Sequence, residues 1–123
     1  MSDETADTID AAADYIEKHG WVHDTFENQH GVCATRALWY GAGFTHADVD
    51  LMRTLESTMK RAEQLKFAHG IAALTGWIHT YDPDHAPDRG ISTIIGWNDH
   101  EDQTEQGVLD GLRAAAKDQR DDV

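Results

Sequence analysis

Basic residues, cysteine and proline are scarce in this chain. Lys and Arg number 10 among 123 residues, against 23 Asp and Glu, for a net charge of −13. That deficit excludes the usual electrostatic route to nucleic acid, which needs a basic face to neutralise phosphates. It also argues against docking on an anionic membrane. One cysteine permits no internal disulfide, which fits a reducing cytoplasm. No apolar run approaches the roughly 18 residues of a transmembrane helix. The opening MSDETADTID is acidic and lacks the apolar stretch of a secretory signal. A Gly-rich phosphate loop and a G-x-S-x-G elbow are both missing.

What is present suits one small domain spanning 1–123. Hydrophobic residues make up 40%, enough for a single core. The charge is uneven. Residues 1–32 carry a net −7, residues 33–81 a net +1, and residues 82–123 again −7. Two acidic ends therefore flank a nearly neutral middle. Solvated outer faces are the ordinary explanation, and a surface for a basic partner, nucleic-acid mimicry and salt tolerance are the sharper ones.

Periodicity predicts a mainly α fold, a single bundle of about five helices with a small β-hairpin near 21–32. Ile9, Ala12, Ala13 and Ile16 form one apolar stripe over 4–19, ending at Gly20. A second helix covers 33–42. Thr45 is then a predicted N-cap, with Asp48 at N3, for a long helix that Gly70 breaks. A further helix follows over 71–80, and 82–90, with both prolines, is the clearest loop. Residues 91–97 fit a helix and a strand equally. Thr104 caps a last helix with Val108, Leu109, Leu112, Ala115 and Ala116 on its stripe, and the acids of 118–123 predict fraying after Lys117. The expected core holds Ile9, Ile16, Trp21, Leu38, Leu55, Leu74, Trp97, Leu109 and Leu112.

Three sets of residues invite chemistry. Cys33 lies where a helix begins, a position that lowers a thiol pKa. With His30 nearby and Asn98 or Asp99 elsewhere it could form a thiol triad, although a small packed cysteine is the simpler reading. His79, Asp82, Asp84 and His85 cluster, but their spacing fits neither a zinc helix nor a complete calcium loop, so no metal and no cofactor is expected. Trp39, Tyr40 and Phe44 give the short second helix more aromatics than it easily buries. They are candidate apolar anchors for a partner, with core packing as the alternative.

Four pieces of the chain together resemble a small domain family of unknown function found in actinobacteria and their phages. They are His19-Gly20-Trp21, Gly31-Val32-Cys33 leading into Ala37-Leu38, Ile94 to Asp99 ending in Trp97-Asn98-Asp99, and Thr104 with Val108-Leu109, Leu112-Arg113 and Ala115-Ala116. This chain departs from the family pattern at Arg36, at the acidic 100–103 turn and in a longer middle, 44–90. The resemblance implies a compact, mostly helical domain. It brings no activity, cofactor or catalytic residue. Physical chemistry gives the Trp-Asn-Asp piece a structural role: Trp97 closes the core, and Asn98 and Asp99 bond backbone in the turn leading to Thr104.

The function expected from these readings is a small, acidic, non-enzymatic protein-binding module in the cytoplasm. Its partner would be a protein with a basic surface, and it could be a phage or accessory protein acting on a host factor. An acidic decoy that occupies a DNA-binding protein is the first alternative, and a Cys33-centred thiol enzyme is the second.

Overall fold

The computed structural model describes residues 2–45, 61–85 and 91–121. Helix α1, Ser2–His19, opens with Asp3 and Glu4 and closes with Lys18 and His19, both placed as the helix dipole favours. It stops at Gly20, whose φ of +98° is the left-handed conformation of a helix C-terminus. The Gly20 N–H donates to the Ile16 carbonyl at 2.7 Å.

A short hairpin follows. Strands β1, Glu27–Asn28, and β2, Gly31–Val32, pair antiparallel, with Glu27 opposite Val32. The Asn28 side chain accepts the His30 N–H at 2.7 Å and sets the turn. Trp21 adds one parallel bridge to Val32. Helix α2, Ala34–Gly41, then begins at Cys33, whose sulfur accepts the Arg36 N–H at 3.4 Å in the N-cap position.

Helix α3, Arg61–Tyr81, passes through Gly70 without a break. The break expected there does not occur, because Gly70 is buried where α3 crosses the core. A Cβ at that position would lie 3.3 Å from Leu38 and 3.5 Å from Thr8, so the missing side chain permits close approach. The predicted Thr45–Asp48 capping pair and Leu55 fall wholly or partly outside the described residues.

After a single 3₁₀ turn at Pro83–His85, helix α4, Ile91–Asp99, resolves the strand–helix ambiguity in favour of helix. Helix α5, Glu105–Asp121, starts where the Thr104 hydroxyl accepts the Gly107 N–H at 3.0 Å. It runs to Asp121, past the fraying point expected at Lys117. Arg120 is held by Asp7 and Asp10 of α1, and Lys117 pairs with Asp121, which offsets the unfavourable acids at this end.

Helix α1 is the organising element, flanked by α2, α3 and α5. Its stripe of Ala6, Ile9, Ala12, Ala13 and Ile16 is fully buried. Around it close Leu38, Leu74, Ile78, Ile94, Trp97, Val108 and Leu112. Each large apolar side chain so buried contributes about 1.5–3 kcal/mol. Six of the nine expected core residues, Ile9, Ile16, Leu38, Leu74, Trp97 and Leu112, are fully buried, and Leu109 is nearly so. Trp21 is a correction: it is half-buried and packs against the core from its edge.

Candidate functional site

The hairpin arm, the start of α2 and the end of α4 meet at Asn98. This side chain is 1% exposed and fully engaged. Its Oδ1 accepts the Trp21 indole N–H at 2.7 Å and the Ala34 N–H at 2.9 Å. Its Nδ2 donates to the Val22 carbonyl at 3.1 Å and to Asp99 Oδ1 at 2.9 Å. Asp99 Oδ1 also accepts the Asp24 N–H at 2.8 Å. That bond fixes Asp24 at a φ of +63°, a left-handed conformation that Asp and Asn tolerate better than other side chains.

The expected role of this motif therefore needs correction. Asn98 and Asp99 do bond backbone, but in the 22–34 segment rather than in the turn toward Thr104. That turn is organised by Gln103, which donates to the Trp97 carbonyl at 3.1 Å and accepts the Thr104 N–H. Trp97 is buried in the core, and its indole N–H donates to Asp82 at 2.9 Å.

Between these elements lies a cleft of about 160 Å³. Asp24, Thr25, Phe26 and Cys33 form one side, and Ile95, Asn98 and Asp99 of α4 form the other. Phe26, Ile95 and Cys33 supply apolar wall, and Asp24 and Asp99 supply carboxylates. Phe26 is 49% exposed beside it; among the described residues Leu65 and Tyr81 are the other large hydrophobics left exposed, and neither lines this cleft. Arg36 lies over the Phe26 ring at 5.7 Å and over the Trp39 ring at 5.0 Å. Its Nη1 is buried and has no hydrogen-bond partner among the described residues, and the Phe26 and Trp39 faces lie against the guanidinium.

The sequence candidates fall differently from expectation. Cys33 is 4% exposed, and burial pushes its thiol up from the ordinary value, outweighing the backbone N–H groups of Arg36 and Thr35. A helix-start cysteine with a lowered pKa is thus not what forms. The exposed His30 ring meets Gln29 at 3.3 Å, and among the described residues it makes no hydrogen bond to Cys33. Asp99 does approach Cys33, but as a negative charge that raises the thiol further.

Trp39 and Tyr40 are not surface anchors. Trp39 is 2% exposed and stacks on Phe44, with ring centroids 4.7 Å apart. Phe44 itself is partly buried against the core. Tyr40 donates to Glu27 at 2.7 Å and stacks on Tyr15, so α2, β1 and α1 are joined there. Burial, and then the Glu27 carboxylate, pushes the Tyr40 hydroxyl up. Sequence reasoning missed Phe26 and the cleft. The available signal was a lone aromatic in the polar, non-periodic 23–31 stretch.

His79 meets Thr93 at 3.1 Å, and Asp82 receives Trp97. Among the described residues no three His, Cys, Asp or Glu side chains converge to hold a metal. Along the α1–α5 seam, Arg113 pairs with Asp10, Asp14 and Glu17, and Arg120 with Asp7 and Asp10. Cations thus interrupt the acids of α1, which weighs against the long carboxylate row that DNA mimicry needs. Among the described residues no helix is long and apolar enough to cross a membrane.

Comparison with known proteins gives one match. The model of a family of unknown function, DUF6197, covers residues 1–118. No curated protein and no solved structure matches the chain.

Proposed function

Because the chain belongs to the DUF6197 family of unknown function, which supplies no activity to inherit, we propose from its own surface that it is a small acidic protein-binding module. It meets a partner with a basic surface at the cleft between the hairpin arm and α4. One observation carries this reading: half-exposed Phe26 stands beside a concave, apolar-walled site edged by Asp24 and Asp99. Large aromatic anchors beside a pocket are where binding energy concentrates. The surrounding negative charge speeds encounter with basic surfaces and discourages acidic ones. The reading includes a cytoplasmic setting and an accessory role, phage-encoded on the resemblance, in which the protein modulates a host factor.

Affinity capture followed by mass spectrometry tests it. The wild-type protein retains a basic partner at low salt and releases it as salt rises. Phe26→Ala, which removes exposed surface and leaves the fold intact, retains much less. A partner captured equally by both proteins, or captured without regard to salt, overturns the assignment of the site.

A further inference from the structure

We infer that the cleft beside Phe26 receives one lysine or arginine side chain of the partner protein. The inference rests on the protein-binding reading and names what occupies its centre.

Size sets the first limit. An apolar cavity of about 150 Å³ holds a single benzene-sized group. At about 160 Å³ this cleft takes one side chain and excludes a helix or strand. The lining then selects the kind of side chain. Phe26 and Ile95 offer apolar surface along the wall, whereas Asp24 and Asp99 offer carboxylates. An occupant that is apolar along its stem and cationic at its tip matches both. Lysine and arginine are built that way, burying their methylenes while the charged head seeks polar partners.

The carboxylates have capacity left for such a head. Asp99 spends Oδ1 on the Asp24 N–H and on Asn98, and no hydrogen bond to its Oδ2 occurs among the described residues. Asp24 Oδ2 accepts from the exposed His23 ring at 2.7 Å, and its Oδ1 is likewise unengaged among the described residues. The Asp99 carboxylate is held in place by the Asp24 N–H and by Asn98, so little ordering of that group remains to be done on binding, while the Asp24 carboxylate is exposed and free to turn toward the occupant. The opposing charge is Arg36. It sits against the Phe26 ring and does not line the cleft, so the cleft keeps an excess of negative charge. An acidic or purely apolar side chain would leave those carboxylates repelled or unpaired.

The test titrates the isotope-labelled full chain by amide NMR with blocked pentapeptides of glycine around one central residue. Central lysine or arginine is expected to shift the amides of Asp24, Thr25, Phe26 and Asp99 in a saturable, salt-sensitive way. Asp99→Asn keeps the Oδ1 acceptor and removes the charge. It should weaken binding about tenfold, the worth of one charge-assisted hydrogen bond. Asp24→Asn, whose side chain tolerates the same backbone conformation, should act similarly. Norleucine binding as well as lysine would overturn the inference, as would absence of shifts at these amides with every peptide. Butylammonium binding as tightly as the lysine peptide would reassign the cleft to small amines and also overturn it. If the peptides fail while Phe26-dependent capture persists, the protein-binding reading stands without this occupant.

Discussion

The side-chain oxygen of Asn98, at the end of α4, accepts the backbone N–H of Ala34, at the start of α2, at 2.9 Å. The same oxygen accepts the Trp21 indole N–H, and the amide nitrogen donates to the Val22 carbonyl. One buried side chain thus satisfies groups from three segments and fixes the wall of the cleft.

Replacing Asn98 by Ala leaves the Ala34 N–H and the Val22 carbonyl without their buried partner. Each such group costs about 1–3 kcal/mol. Asn98→Ala should therefore destabilise the protein by about 3–5 kcal/mol in urea unfolding. Asn98→Asp keeps the acceptor but loses both donated bonds and brings a buried charge beside Asp99, so it should be no milder. A loss below about 1 kcal/mol for the alanine variant would contradict the role given to Asn98.

Gly111 on α5 faces the Trp97 ring. A Cβ built there lies 2.5 Å from the ring carbon Cζ2. Trp97 has little freedom to retreat, because it is buried and its indole is bonded to Asp82. Helix propensity favours Gly111→Ala by about 1 kcal/mol, and overpacking opposes it by about 1–3 kcal/mol. The variant should have a lower Tm than wild type. A raised Tm would show that the Trp97 contact relaxes freely.

Acid should loosen the α1–α5 seam. Burial raises the Asp10 carboxyl, but hydrogen bonds and charge from Arg120 and Arg113 outweigh it and hold the pKa below the usual aspartate value. A lowered folded-state pKa means that the stabilisation is complete above the unfolded value near 3.8 and is lost as pH falls through the folded one. Stability should decline below about pH 4 through this group, and added salt should reduce it at neutral pH. Arg113→Gln should lower stability by about 1 kcal/mol, since the network is partly exposed, and should flatten the acid limb of the pH profile. An unchanged profile in denaturant melts across pH would show that the seam contributes nothing.

Cys33 should resist labelling in the native protein. Its sulfur is buried, and its thiol is pushed up rather than down. Labelling with a disulfide reagent should be slow and should accelerate with urea, tracking opening of the fold. Cys33→Ser should fold at modest cost, because serine also serves as an N-cap. Rapid native labelling would restore a thiol-based chemistry.

Much of the helical frame was legible because its signals are local. The Ile9–Ile16 stripe, the stop at Gly20 and the Thr104 cap all lie within a turn or two of the residues they govern. The site was less legible because its determinants are distant in sequence. Three of the four Asn98 bonds reach partners 64 to 77 residues away, and two of those go to backbone, which leaves little side-chain pattern to read. Trp39 misled for a related reason. Its helix is short, but Arg36, Tyr40 and Phe44 cover it, so its burial depends on packing rather than on helix length. Trp39→Ala should accordingly destabilise the fold by about 3–5 kcal/mol, whereas Phe26→Ala should not.

The central claim is that an acidic, aromatic-anchored cleft meets a basic protein. The most direct test is stopped-flow measurement of association and dissociation rates with the captured partner across a range of ionic strength. The account predicts that the association rate of the wild-type protein falls as salt rises, because exposed charges are screened. It also predicts that Phe26→Ala keeps that salt dependence while dissociating about tenfold faster or more, as loss of an anchor requires. An association rate indifferent to salt, together with a dissociation rate unchanged by Phe26→Ala, would contradict it.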